Sequence, residues 1–510
     1  AEVSIKLSAP VEKVLRHAHT PIALGELHDR VAGEFPDAGR GAVARMLSAL
    51  VLHGFLVTEL RPPMTCTDPL TNLIETASRA GADQDPGVAP VVGELRVIRQ
   101  LLDGHNAAVD DSAGPSRREL RSVTVMRMRG LADAESTLGV DLHVDAEVAI
   151  PVAVTAEAAA AAAALVRLAP EPGGTAAWRD YHQRFLDRYG PGAIVALPEL
   201  LHSGSGLGYP AGYRGTSLPT RRPRVDAHTR GRTELLTRLA QTTAWERQRE
   251  IALTDADLDA LADVASRPQP HTELRVEIHS PTRDALDRGR FDLLVLGASR
   301  ASGTVMGRFL DLLDLDESYR IAAALRGLPT VTDGARRVQL SGPPLNLRAA
   351  TIARAMAVMP HQLVVGGHPP AGGLLPADLA VSADTVGLYL VTAATGEPIE
   401  PLAATALEMV RGADPLLRFV SEIATSSCSP CQPFTWGSPF GEAPHLPRVR
   451  YRRTVLAPAS WTVRADELPR DPGREGWRAW RERWAVPDEV LLREHDRRLR
   501  LNLADPAHLH

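Results

Sequence analysis

The stretch 178–213, WRDYHQRFLDRYGPGAIVALPELLHSGSGLGYPAGY, limits what this chain can build more than any other. Tyr181, Phe185, Leu186 and Tyr189 recur at helical spacing, and Asp180, Arg184, Asp187 and Arg188 fill the opposite face, so the spacing predicts an amphipathic helix. Gly190 and Pro191 stop it, because glycine accepts a left-handed backbone and proline has no amide hydrogen to donate. A short apolar run at 194–201 follows, then Gly204, Gly206 and Gly208, closed by Tyr209 and Pro210. Glycines at alternate positions let one backbone approach another surface closely. On local physics this is a tight structural turn. It is not a dinucleotide-binding loop, since the third glycine of that pattern is missing and Pro210 stands where a helix would begin.

A chain of 510 residues has room for several lobes. Its net charge of −5 excludes the bulk electrostatics of a DNA-coating protein while leaving room for local basic patches. Nearly all of its cations are arginines, Lys6 and Lys13 being the two lysines. No apolar run is long enough to span a bilayer, and three cysteines suit a reducing compartment, so a cytoplasmic location is expected. Cys428 and Cys431 form a C-x-x-C without a second pair, so no metal site is predicted.

Residues 1–65 read as a small domain of strand, three helices and strand, a winged-helix arrangement. The strands are expected at 3–7 and 55–60 and the helices at 11–17, 22–31 and 40–53. The third helix is mostly apolar and carries only Arg45 beyond its starting Arg40, which is poor chemistry for reading DNA. A peptide-binding role fits better: an extended peptide would add to an open edge formed by Val3, Ser4, Ile5, Lys6 and Leu7, with Arg45 and Leu50 of the third helix on the groove wall. A wing buried against the body is the alternative.

Residues 66–510 form the second predicted unit, a multi-lobed body of α/β (α+β) class with mixed sheets. Alternation predicts strands around Val123–Val125, with a cationic edge from Arg117 to Arg129, and again at 140–148. Helices are expected at 156–168, 235–245, 255–265, 402–409 and 416–423. Strands are expected at 272–279, 291–296, 337–340, 362–365, 379–381 and 386–391. The Pro-interrupted loop 214–232 carries Arg221, Arg222 and Arg224. Arg448, Arg450, Arg452 and Arg453 mark either an edge strand facing water or the lining of a polyanion site. Trp477, Trp480 and Trp484 form an apolar helix stripe, read as core packing.

Three stretches together carry a resemblance. They are the RF-x-x-RYG helix running into GLGYP, FDLLVLGASRASGTVMGRFLDLL at 291–313, and PRVRYRRTVLAPASW at 447–461. In this order they resemble the glutamylation region of the lantibiotic dehydratase family. The resemblance implies transfer of glutamate from glutamyl-tRNA to Ser and Thr side chains of a precursor peptide, ahead of elimination to dehydroamino acids. It implies leader-peptide recognition by residues 1–65, glutamyl-tRNA as co-substrate with no other cofactor, a homodimer, and a cyclase as a further partner. Carried onto this sequence, it makes Arg308, Arg300, His202 and Asp141 the catalytic candidates and Arg221, Arg222, Arg224, Arg448, Arg450 and Arg452 the tRNA-binding candidates. His202 departs from the family's acidic residue before the glycine loop. The family's amino-terminal segment and its elimination domain are expected to lie outside this stretch of chain. Two alternatives remain: a relative that appends amino acids from aminoacyl-tRNA to a peptide carboxyl terminus, and a non-catalytic precursor-binding scaffold.

Overall fold

The computed structural model describes residues 5–108, 116–133, 137–144, 146–219, 227–261, 267–462, 474–494 and 497–505. At the amino terminus, helices Ala9–His17, Leu24–Glu34 and Arg40–Leu52 pack Val11, Val14, Leu27, Val31, Val43, Leu47 and Leu50 into a core of their own. Among the described residues the flanking strands expected of a winged helix do not form. Residues 5–7 enter no ladder among the described residues, and Val3 and Ser4 lie outside them. After Gly54, at φ 77°, the chain turns back so that the amides of Phe55 and Leu56 both donate to the Leu50 carbonyl. Phe55 and Leu56 thereby pack on the helical core instead of extending. The module is tied to the body through residues 63–66, where Arg354 donates to the carbonyls of Pro63 and Cys66 and the Ala355 amide to that of Met64.

Helices Pro69–Arg79, Ala89–Ala107 and Arg117–Leu131 follow. The last of these was expected as a cationic strand. It is a helix because Ser116 and Glu119 form a reciprocal capping box and Thr124 is buried with its hydroxyl on the Leu120 carbonyl. The β-branched triplet Val123–Val125 is outweighed by that start signal and by packing against Ala89–Ala107, where Arg127 pairs with Glu94 at 2.8 Å. Residues 140–148 are likewise no strand: among the described residues they join no ladder, and Val140, Leu142, Val144 and Val148 are all exposed.

Two mixed sheets form the body. The larger runs in the order Val195–Ala196, Leu379–Ala383, Leu388–Thr392, Pro398–Leu402, Arg336–Ser341, Gln362–Val364. The first four strands pair antiparallel and the last three parallel. Residues 402–409, expected as a helix, end a strand and continue irregularly, because Pro398–Leu402 is held parallel to Arg336–Ser341; only Met409–Gly412 turns helical. Trp178, Tyr181 and Phe185 of helix Ala176–Tyr189 pack with Phe419 of helix Pro415–Glu422 over this sheet. The predicted stop holds, with Gly190 at φ 81°.

The second sheet has the order Glu250–Leu253, Arg448–Tyr451, Thr454–Ala457, Asp292–Ser299, Glu273–His279. Helix Val152–Arg167 lays Ala161, Ala164 and Leu165 against it. Arg448–Tyr451 is therefore an interior strand, not the edge strand that its alternating arginines suggested. Cys428 and Cys431 are both buried, and burial pushes the Cys428 thiol up to about 11, which keeps it a protonated core group. Among the described residues no three His, Cys, Asp or Glu side chains are grouped to hold a metal ion, and no helix is long and apolar enough to cross a membrane. Helix Arg474–Trp484 forms as expected, but Trp480 and Trp484 are only half-buried, and the Trp477 side chain lies outside the described residues.

Candidate functional site

The site is built on the turn between strand Asp292–Ser299 and the 3-10 helix Met306–Leu312. A turn that ends a strand and starts a helix leaves amides without ladder partners, and here the neighbouring strand supplies acceptors. The Glu273 carboxylate accepts from the amides of Val305 and Met306, each at 2.9 Å, and from the Thr304 hydroxyl. His271 Nδ1 accepts the Ser302 amide at 3.1 Å, and the Ser302 hydroxyl donates to the Thr272 carbonyl. Gly307 is required beside this turn, since an added Cβ would lie 2.7 Å from the Ala404 carbonyl oxygen. Arg300 and Arg308 stand at the two ends of the pinned segment.

Arg308 reaches Asp141, and one guanidinium nitrogen lies 2.5 Å from both carboxylate oxygens. The arginine side chain is mostly buried and its Cζ sits 4.5 Å from the centroid of the Phe309 ring. Its Nε is buried and has no hydrogen-bond partner among the described residues. Burial, with the Asp141 charge added, raises the pKa of the nearby Asp311 carboxyl. Two of the four catalytic candidates, one on an irregular ribbon and one in the body, are thus brought into contact.

Arg300 meets a residue that sequence reading missed. The Glu422 side chain is only 6 % exposed, and Arg300 lies 3.7 Å from it while keeping 53 % of its own side chain exposed. Glu422 also accepts from Tyr213 Oη at 2.7 Å, Trp178 Nε1 at 3.2 Å and Arg418 Nε at 3.1 Å. Arg418 in turn stacks over the Tyr213 ring, its Cζ 3.9 Å from the centroid. Burial, then the Glu422 carboxylate, pushes the Tyr213 phenol well above its ordinary value and keeps it a hydrogen-bond donor. The available signal was a glutamate among Phe419, Val420 and Ile423, on the buried face of its own helix.

His202 ends helix Leu197–Leu201. Its Nδ1 accepts from the Gly204 amide, the Ser205 amide and the Ser205 hydroxyl, at 3.2, 3.0 and 3.0 Å. Those donors put the ring proton on Nε2, and the imidazole braces the glycine loop. Tyr181 donates to the Gly208 carbonyl and Arg188 to that of Ser205, fixing the same loop. Among the described residues no hydrogen bond or ion pair joins His202 to Arg300, Arg308 or Asp141.

The other candidates separate. Arg448 and Arg450 both pair with Glu250, each at 2.6 Å, because the parallel register sets the three side chains side by side. Arg452 sits in the hairpin turn at φ 51°, its Cζ 5.2 Å from the Tyr451 centroid. Arg221, Arg222 and Arg224 lie outside the described residues. In the amino-terminal module Lys6, Leu7 and Arg45 are exposed and Ile5 is half-buried. Leu50 is buried in the module's core, where it cannot wall a peptide groove. A cavity of about 740 Å³ lies between the alanine face of helix Val152–Arg167 and residues 268–274, lined in part by His228 and His271; among the described residues none of the sequence candidates lines it.

Among curated proteins, the chain is 21 % identical over 521 residues to the epidermin biosynthesis protein EpiB of Staphylococcus epidermidis, covering 99 % of this chain and 49 % of that protein. It is 21 % identical over 453 residues to the subtilin biosynthesis protein SpaB of Bacillus subtilis, covering 85 % and 42 %. Among solved structures, the tRNA-dependent lantibiotic dehydratase MibB from Microbispora sp. 107891 superposes with a TM-score of 0.86 at 30 % identity, covering 99 % of this chain and 50 % of MibB. The glutamylation domain of TbtB, from thiomuracin biosynthesis, shares the fold at a TM-score of 0.58 and 18 % identity, covering 99 % of this chain and 60 % of that one. The chain thus spans about half the length of the curated relatives it matches. The family described as lantibiotic dehydratase, N terminus, matches residues 1–510, and to that family the chain belongs.

Proposed function

We propose that this chain forms the part of a lantibiotic dehydratase that transfers glutamate from glutamyl-tRNA to Ser and Thr hydroxyls of a precursor peptide. The observation that carries the reading is the Arg308–Asp141 pair, a largely buried guanidinium held by a carboxylate 167 residues away. In the reaction the peptide hydroxyl oxygen bonds to the glutamyl carbonyl carbon and the ester bond to the tRNA ribose breaks. The hydroxyl proton ends on the ribose oxygen. The carbonyl oxygen gains charge as the tetrahedral intermediate forms, and a fixed guanidinium beside it lowers that barrier. Asp141 holds Arg308 in orientation, and Arg300, half exposed, is suited to a phosphate or carboxylate of the acyl donor. Binding of tRNA by Arg452, with Arg221, Arg222 and Arg224, belongs to the same reading, with Arg448 and Arg450 contributing less because Glu250 offsets their charge.

Residues 1–65 are the leader-recognition module in this reading, with Lys6, Leu7 and Arg45 as the contact residues. A homodimer and a cyclase partner, and an elimination step carried by a further domain, belong to the same reading.

The test is transfer of labelled glutamate from glutamyl-tRNA to a Ser/Thr-rich precursor by the full-length protein. Arg308→Ala is expected to reduce the transfer rate ~100-fold or more, the scale of losing one oxyanion donor. Undiminished transfer in Arg308→Ala would remove the site from this turn. Absence of transfer in the unmodified protein would overturn the function.

A further inference from the structure

The carboxylate of Glu422 accepts three hydrogen bonds and faces two arginines in a site almost closed to solvent. Such density is more than a fold contact needs. A buried carboxylate is balanced by one well-made arginine pair plus neutral donors, and Arg418, Tyr213 and Trp178 already provide these. The second cation is different in kind. Arg300 comes from the pinned turn that also carries Arg308, it approaches Glu422 to 3.7 Å without a hydrogen bond, and more than half of its side chain faces solvent. Among the described residues Glu422 is its one ion-pair partner. The guanidinium is therefore aimed by a buried anchor while its outward N–H groups remain available to an incoming anion.

The anchor is also tied to the glycine loop. Tyr213, just beyond that loop, hydrogen-bonds Glu422, Arg418 donates to the Gly212 carbonyl, and Tyr209, which closes the loop, stacks on Tyr213 at 5.9 Å with the rings 5° from parallel. We propose that Glu422 is a positioning residue that orients Arg300 toward an anionic group of the aminoacyl-tRNA and couples it to the glycine loop. The inference rests on the glutamyl-transfer reading for its substrate and on the geometry around Glu422 for everything else.

Two measurements on the full-length protein separate the possibilities: steady-state glutamate transfer with the donor and the precursor varied in turn, and equilibrium binding of glutamyl-tRNA across a salt series. Glu422→Gln keeps the size and one acceptor but discharges the anchor. It is expected to lower kcat/KM for glutamyl-tRNA ~10-fold or more, the factor carried by one pK unit of interaction. The KM for the precursor should not change. Arg300→Ala should cause a similar loss, and the double variant should lose little beyond either single one, because both remove the same interaction. If Glu422→Gln does not fold, Tyr213→Phe and Glu422→Asp supply the comparison, the first removing a donor to the anchor and the second withdrawing it.

Equal losses for donor and precursor, or a double variant that shows both full effects, would overturn the positioning role and leave Glu422 a fold residue. If the unmodified protein transfers no glutamate, the functional reading fails by itself. The salt series then decides: coupled weakening of tRNA binding by Glu422→Gln and Arg300→Ala supports the orientation of Arg300 toward an anion, and unchanged binding refutes it.

Discussion

His271 accepts the Ser302 amide on Nδ1, and the Arg337 guanidinium lies 3.1 Å from its Nε2. Burial, then the Arg337 charge, lowers its pKa from 6.5 to about 4, so the neutral ring is the form the fold accepts. Because the folded value lies below the unfolded one, its contribution to stability is complete above pH 6.5 and is lost as the pH falls toward 4. His271→Gln should flatten the decline in melting temperature between pH 6.5 and 4 relative to the unmodified protein, as measured by thermal unfolding across that window. His202→Ala should cost about 1 kcal/mol in urea unfolding, the scale of one net hydrogen bond, because the glycine loop loses its acceptor. His202→Asp should cost less, since a carboxylate accepts from the same amides. The sequence marked Arg308 and Asp141 through motif likeness, yet nothing in their spacing announced that they touch. Glu422 escaped notice because a glutamate four residues after an arginine is the ordinary pattern of a solvated helix pair, and only tertiary packing buries this one.

At the level of elements, the glycine loop is the best-specified part of the chain. An added Cβ at Gly206 would fall 2.1 Å from the Glu199 carbonyl oxygen and 2.3 Å from that of Leu200, so only glycine fits. Gly206→Ala should destabilise the protein by about 3 kcal/mol, the upper range for overpacking, measurable by urea unfolding. The helix Ala176–Tyr189 was legible from periodicity because it buries one face, and most body strands were legible as short apolar runs, Leu379–Ala383 being buried at every position. Helix Arg117–Leu131 was not, because its alternating apolar and basic residues imitate a strand while its decisive signal is the cap at Ser116. Ser116→Ala should therefore cost about 1 kcal/mol, a typical loss for an N-cap. The arginines of Arg448–Tyr451 were equally deceptive: alternation named the strand, but its interior place follows from pairing with distant segments that no local pattern contains.

Across the whole molecule, the amino-terminal helices keep a core apart from the two that back the sheets. Leu50 belongs to that core, so Leu50→Ala should cost about 2–5 kcal/mol. Arg45, exposed on the same helix, should tolerate Arg45→Glu without loss of stability, while leader-peptide affinity falls in a fluorescence-anisotropy titration. The two sheets give the body its rigidity, and Arg308 is seated there; Asp141 is not. It sits on the 137–150 ribbon, where Leu142 is 84 % exposed and no ladder holds the backbone among the described residues. Survival of the candidate site and survival of the fold are therefore separate quantities. Limited proteolysis should cut this ribbon before either sheet opens, and amide protons there should exchange long before those of the strands. A preparation could then keep its melting transition while losing the carboxylate that orients Arg308, and fresh and aged material would differ in activity without differing in their unfolding curves.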